Sequence, residues 1–346
     1  MSKTENPFSA GIVDFNTRTM TPEAIKEQGI PLYLQPYIAD LRQYPLKIAE
    51  FLPEGTLWFN QEQPWNFRAV MQDEDKVKRL RDSSILILSG SGMSAYKFQE
   101  GKAPADPPNP KDEEYLIRAE NLVRDHLGEG KWVLGDCFGG QLAMHAVGGR
   151  LGRLPSNEYG NAVTEAGYLP HLLTPQGRTD EVFGHLPDIF YAAHFHNDFV
   201  KSLPEVGSKI PTGQGEIEVV RAEILAVRNG FLSTSGIENE DTQYIHGALV
   251  EFSNGARLYH IQPHPEMSTP QRANFFARYV EEWLSNEEQM GPVYAKAAKE
   301  IPQDADYNAS QIITNFALAY MNHLNREILQ VTTPAIIQQL YKYALN

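Results

Sequence analysis

The run Ser84-Ile-Leu-Ile-Leu-Ser89 carries apolar side chains at four successive positions, with a small polar residue at each end. A strand with one wet face alternates apolar and polar residues. An unbroken apolar run therefore needs cover on both faces, as in the parallel sheets of α/β proteins. The run opens into Gly90-Ser-Gly-Met-Ser94, a loop able to present backbone N–H groups. A second apolar run, Trp132-Val-Leu134, ends in another glycine-bearing segment, Gly135-Asp-Cys-Phe-Gly-Gly-Gln141. Helical stretches are expected over Asp73–Arg81, Glu113–Leu127 and Gln141–Val147, the last closed by Gly148-Gly149. Strands alternating with helices, each strand leading into a glycine-rich loop, predict an α/β fold with a mainly parallel sheet flanked by helices.

Residues 1–80 are the least legible. Gly11–Phe15 and Thr56–Asn60 read as strands and Pro22–Gln28 as a short helix. Between 160 and 262 the chain reads as shorter strands, among them Ile189–His196, Ala248–Phe252 and Arg257–Ile261, with Ser253-Asn-Gly255 as a hairpin turn. Helices are expected from Pro270 onward, broken near Asn286–Pro302. The expected division is a domain over 1–285 and a C-terminal helical extension over 286–346. The apolar spacing Ile312, Phe316, Ala319, Tyr320, Leu324, Ile328 suits helices packed on that domain. It suits equally a face for a second copy of the chain or a synthase subunit.

Cys137 is the one cysteine in 346 residues. A single cysteine forms no internal disulfide, which makes the cytoplasm the economical compartment. The N-terminus lacks the apolar core of a signal peptide, and no run approaches the roughly 20 apolar residues that span a bilayer. The net charge of −14, with no long Lys/Arg run, argues against nucleic acid as a partner. The basic cluster Lys76-Val-Lys-Arg-Leu-Arg81 is flanked by acids and reads as a solvated helix face.

A free cysteine is commonly a small buried hydrophobe. Here a strand turns sharply into a helix with small residues on either side, which is the pattern of a nucleophile elbow. Downstream, Ile261-Gln-Pro-His-Pro-Glu-Met267 follows a predicted strand. On extended backbone His264 and Glu266, two apart, point to the same side. A carboxylate there can hold the imidazole in one tautomer while the other ring nitrogen faces a thiol. Cys137, His264 and Glu266 thus compose a Cys–His–Glu triad whose base generates thiolate at neutral pH.

With these residues the chain resembles the class I, triad-type glutamine amidotransferase family. Gly135-Asp-Cys-Phe-Gly-Gly-Gln141 is similar to its Gly-x-Cys-x-Gly-x-Gln elbow, and Leu142-Ala-Met-His-Ala-Val-Gly-Gly149 to the helix that continues it. Ser89–Tyr96 is similar to its oxyanion loop, Gln262–Glu266 to its His/Glu motif, and Val182-Phe-Gly-His-Leu-Pro187 with His196-Asn-Asp198 to a segment between them. The resemblance runs from about residue 80 to 275. It implies a flavodoxin-like fold and a glutaminase-type reaction. Cys137 attacks the amide carbon, His264 protonates the departing ammonia, and water resolves a glutamyl thioester. It further implies that the Phe138 N–H and an N–H at Gly90 or Ser91 form the oxyanion hole, and that Gln141 helps hold the substrate.

Three residues depart from the family pattern: Asp136 for an aliphatic, Gly92 for a proline, Pro263 for an aromatic. They bear on the substrate more than on the chemistry. Two alternatives to glutamine hydrolysis for a partner synthase or second substrate therefore stay open. One is a triad hydrolase or acyltransferase acting on another amide, a γ-glutamyl bond or an ester; the other is a non-catalytic subunit that kept the fold.

Among other polar residues, His196 and Asn197 are candidates for the glutamine pocket. His145 reads as a packing or solvent-facing helix residue. His194 and His196 alternate on one strand, a pattern that metal ligands use, but no third ligand stands at a telling spacing, so no metal is expected. Gly90-Ser-Gly92 lacks the third glycine of a dinucleotide fingerprint, and no phosphate-cradling loop of the Gly-x-x-x-x-Gly-Lys-Ser/Thr type occurs. No cofactor is expected.

Overall fold

In the computed structural model of the chain, the two apolar runs are neighbouring parallel strands, and the elbow follows the second of them. The structure describes residues 10–13, 71, 73–90, 110–155, 164–233, 236–267, 309, 311–320 and 322–324. The strands are β1 (Ala10–Val13), β2 (Ile85–Leu88), β3 (Trp132–Asp136), β4 (Arg150–Arg153), β5 (Glu165–Leu173), β6 (Ile189–His196), β7 (Asp198–Ser202), β8 (Lys209–Thr212), β9 (Gly215–Ser233), β10 (Gly236–Phe252) and β11 (Arg257–Ile261). The helices are α1 (Glu74–Asp82), α2 (Pro110–Gly128) and α3 (Cys137–Ala146). Residues 311–320 are helical as well. The helix expected over 22–28, the strand over 56–60 and the division at 285/286 lie outside the described residues.

The sheet order is β1-β2-β3-β11-β10-β9-β5-β6, with β4, β7 and β8 attached at its side. β1, β2, β3 and β11 run parallel, as the apolar runs imply. Beyond β11 the described pairings are antiparallel, so the sheet is mixed and its parallel half carries the elbow. The region expected to hold only short strands contains the long hairpin of β9 and β10, whose register shifts at several points. The sheet curls until β6 returns to the segment after β11, where Ala193 bridges His264.

Strand alternation divides the core in two. Leu86, Leu88, Val133 and Leu258 face one side, covered by Val77 and Leu80 of α1, Tyr115, Leu122 and Val123 of α2, and Phe138 and Leu142 of α3. Ile85, Ile87, Trp132, Leu134, Tyr259 and Ile261 face the other. That side is closed by Val182 and Phe183 and by Ile312, Ile313, Phe316 and Tyr320 of the 311–320 helix. This helix is thus core material for the sheet. Asn315 Nδ2 also donates to the Val182 carbonyl at 3.0 Å. Trp132 is its anchor, with Tyr320 edge-on at 5.4 Å and the Arg257 guanidinium 4.5 Å over its ring.

α1 carries its basic residues as expected, with Lys78 and Arg79 exposed and Val77 and Leu80 buried. The hairpin turn over 253–255 is present between β10 and β11, with Gly255 at φ +86°. α3 begins at Cys137, four residues before the expected start at Gln141. The reason is packing: Gly139 and Gly140 stand where the helix passes against neighbouring backbone. A Cβ on Gly139 would lie 2.5 Å from the Leu88 carbonyl oxygen, and one on Gly135 would lie 2.5 Å from the Gly140 Cα. The glycines that look like helix breakers allow this close helix–strand contact.

Candidate active site

Cys137 sits at the junction of β3 and α3 with φ +41°, and it is the one described non-glycine residue at positive φ. Positive φ is uncommon for a residue with a Cβ, and such strain clusters at functional sites. The turn places Sγ beyond the carboxyl end of the parallel strands, where open α/β sheets hold their ligands. Cys137 is 3% exposed. Its Sγ lies 4.0 Å from the Phe195 carbonyl oxygen and 3.9 Å from Gln262 Nε2.

His264 reaches this place through a backbone contact. Its N–H donates to the Ala193 carbonyl at 2.7 Å, which seats it on the edge of β6 at the seam of the curled sheet. The extended backbone expected through Glu266 gives way to a 3-10 turn, Pro265–Met267, in which Met267 N–H donates to the His264 carbonyl. Tyr168 Oη donates to the Met267 carbonyl at 2.7 Å and pins this turn to β5. Glu266 is the middle residue of the turn.

Gly90, at the end of β2, touches both partners. A Cβ built there would stand 2.6 Å from His264 Cε1, 3.3 Å from His264 Nδ1 and 3.4 Å from Cys137 Cβ. Cys137, His264 and Gly90 therefore converge on one point. Phe138 lies in the first turn of α3, where backbone N–H groups point toward the helix N-terminus. Ser91 and the rest of that loop lie outside the described residues.

The residues expected to bind substrate are engaged within the protein. Gln141 is 2% exposed, and its amide N–H groups donate to the Asp198 carbonyl (2.7 Å) and to Gln262 Oε1 (3.2 Å). His196 Nδ1 also donates to the Asp198 carbonyl, at 3.0 Å, and its Nε2 faces Glu165 at 3.2 Å. Asn197 Nδ2 reaches Thr164 Oγ1 at 3.4 Å. His145 pairs with Glu120 of the neighbouring α2 at 2.5 Å. Asp136 is 2% exposed and takes the backbone position that caps α3, but its side chain makes no capping hydrogen bond.

Gln262 is the member that sequence reading passed over. It is fully buried, and Gln141 orients its amide so that Nε2 points at the thiol. Its signal was its place beside His264 in the motif, but no spacing rule assigns it a partner 125 residues away.

No family model matches the chain. It is 32% identical over 142 residues to a glutamine-hydrolysing GMP synthase of Thermosipho melanesiensis, covering 41% of this chain and 21% of that protein. It is 33% identical over 131 residues to the glutamine-hydrolysing GMP synthase of Staphylococcus saprophyticus, covering 38% and 20%. The chain thus spans about one fifth of the length of the curated relatives it matches. Similar solved structures include a glutamine amidotransferase from Thermotoga maritima (17% identity, 70% of this chain, 79% of that one, TM-score 0.42). Another is a glutamine amidotransferase from Methylobacillus flagellatus (18%, 93% and 95%, TM-score 0.46).

Proposed function

We propose that the chain is a class I glutamine amidotransferase and that it hydrolyses the side-chain amide of glutamine at Cys137. The observation that carries the proposal is the convergence of Gly90, Cys137 and His264, with Cys137 held at positive φ on a strand-to-helix turn. Backbone strain at this one cysteine, packed beside an imidazole and a glycine backbone, supports a reacting thiol over a buried hydrophobe.

His264 removes the Cys137 proton, and Sγ attacks the amide carbon of glutamine. The carbonyl electrons move to oxygen, and the oxyanion is met by the Phe138 N–H and an N–H at Gly90 or Ser91. Each preorganised donor of this kind is worth about 10²–10³ in rate. The tetrahedral intermediate collapses as His264 returns the proton to nitrogen, so ammonia leaves and a glutamyl thioester remains. His264 then deprotonates water, which attacks the thioester carbon, and glutamate departs with the thiol restored. Glu266 orients His264 and stabilises its imidazolium through the turn that Tyr168 pins. Gln141 and Gln262 act as positioning residues, and the Gln262 amide supplies a donor toward the sulfur.

The curated relatives are synthases named for glutamine hydrolysis. Delivery of ammonia to a synthase subunit or second substrate is the corresponding reading for this chain. The test is to incubate the purified chain with glutamine and follow glutamate and ammonia, with Cys137→Ala as control. Cys137-dependent release of both is the expected result. Covalent labelling of Cys137 by a glutamine-like electrophile without turnover would place the missing requirement on a partner. Neither release nor labelling would overturn glutamine as substrate.

A further inference from the structure

Inside the curl of the antiparallel half lies a second polar cluster that the thiol chemistry does not use. Glu165 and His171 come from β5, His194 and His196 from β6, Arg228 from β9 and His246 from β10; each is 5% exposed or less. Buried histidines at this density need an account of where their protons and lone pairs go.

The partners settle most of the tautomers. His196 Nδ1 faces the Asp198 carbonyl at 3.0 Å, so that nitrogen carries the hydrogen and Nε2 presents a lone pair. His171 Nδ1 faces the Phe190 carbonyl at 3.4 Å, so its Nε2 presents a lone pair toward His194 Nε2, 2.6 Å away. His194 therefore carries its hydrogen on Nε2, and its Nδ1 presents a lone pair. That nitrogen lies 3.0 Å from His196 Nε2 and 3.8 Å from Glu165 Oε2, and His196 Nε2 lies 3.2 Å from the same oxygen. With the rings neutral and Glu165 ionised, these three atoms are electron-pair donors that converge with no hydrogen among them.

The spacing suits a cation. Ligand atoms around a tetrahedral zinc ion, with bonds near 2.0–2.2 Å, stand about 3.4 Å apart. The three distances of 3.0, 3.2 and 3.8 Å bracket that value. His246 also brings a ring nitrogen within 4.8 Å of the Glu165 and His196 ligand atoms, and its Nδ1 has no hydrogen-bond partner among the described residues.

We propose that Glu165, His196 and His246, with His194 Nδ1 as the fourth donor, hold a divalent transition-metal ion of the zinc class inside the curled sheet. The partners behind these ligands match such a site. The Asp198 carbonyl fixes His196, His171 fixes His194, and the Arg228 guanidinium forms an ion pair with the second Glu165 oxygen at 3.0 Å. Burial drives the His194 and His246 imidazoles well below their usual range, so both stay neutral. Because His196 and Gln141 share the Asp198 carbonyl, the metal would brace the strand end beside the thiol. The role is structural and does not depend on the glutamine reading.

The full chain is purified without chelators, and its metal content is measured by mass spectrometry. It is then stripped and refilled with Zn²⁺ alone or Co²⁺ alone. The expected result is about one equivalent of metal per chain, a higher Tm with Zn²⁺, and visible Co²⁺ ligand-field bands that persist in Cys137→Ala. X-ray absorption of the Co²⁺ form is expected to show nitrogen and oxygen neighbours with imidazole scattering and no sulfur. Glu165→Gln and His246→Gln are expected to lower metal affinity at least tenfold. Failure of the wild-type chain to hold metal after stripping and refilling would overturn the proposal, as would sulfur in the absorption shell. Because both of those readouts use the wild type, a variant that fails to fold leaves the test intact.

Discussion

The backbone of Gly90 is packed against His264 so closely that a Cβ there would stand 2.6 Å from His264 Cε1. The backbone just beyond β2 thus packs against both the imidazole and Cys137, with no room there for a side chain. Gly90→Ala is expected to displace His264 and lower glutaminase turnover by about 10²-fold, since small misplacements of reacting groups carry losses of that size. The far-ultraviolet circular dichroism should be unchanged. Activity within twofold of wild type would show that the contact does not set the geometry.

Removal of the thiol or the imidazole should remove turnover. Cys137→Ala and His264→Asn are each expected to reduce glutamate release at least about 10³-fold, and the double variant no further, because the two act as one unit. Steady-state assay of the three proteins checks this; multiplying losses would argue against a shared step.

Asp136 places a buried carboxylate next to the nucleophile. Asp136→Asn keeps the shape of the side chain and removes its charge, so it is expected to leave the far-ultraviolet circular dichroism unchanged and to alter glutaminase turnover by less than about tenfold. Steady-state assay checks this; a loss as large as that of Cys137→Ala would make Asp136 part of the reacting group.

Phe316 is fully buried against Trp132 and Tyr259, with ring centroids 6.1 Å and 5.7 Å away. Phe316→Ala is expected to destabilise the fold by about 3–5 kcal/mol, the usual range for emptying a buried aromatic site. Urea unfolding measures it. A loss below 1 kcal/mol, together with a change in oligomeric state, would assign this helix to an interface between chains.

His126 on α2 is fully buried, and loss of hydration followed by the Lys131 charge lowers its pKa to about 3. The unfolded chain binds this proton from about pH 6.5 downward and the folded chain does not. The neutral side chain therefore carries no penalty above that value, and stability falls by up to about 1.4 kcal/mol per pH unit as pH drops toward 3. The loss of urea-unfolding free energy between pH 7 and pH 5 should be about 2 kcal/mol smaller for His126→Gln than for wild type. An unchanged gap would show that His126 is not the group that takes up the proton.

The elbow was legible because its requirements are local. A tight strand-to-helix turn needs small neighbours, and Gly135, Gly139 and Gly140 stand within a few residues of Cys137. The same glycines concealed where α3 begins, since close packing and helix breaking leave one composition. The β9–β10 hairpin was harder to read because its register shifts interrupt the simple alternation of sides.

By itself the sequence determined the parallel half of the sheet, the thiol at the carboxyl end of its strands and the imidazole motif downstream, since each follows from periodicity or backbone geometry within some ten residues. Only the tertiary structure decided how these pieces meet. Ala193 seats His264, Gln141 turns the Gln262 amide toward sulfur, and Glu165 and His246, 81 residues apart, come together with the β6 histidines. Those meetings depend on strand register and on how far the sheet curls, quantities that sum over many residues and are written at no single position.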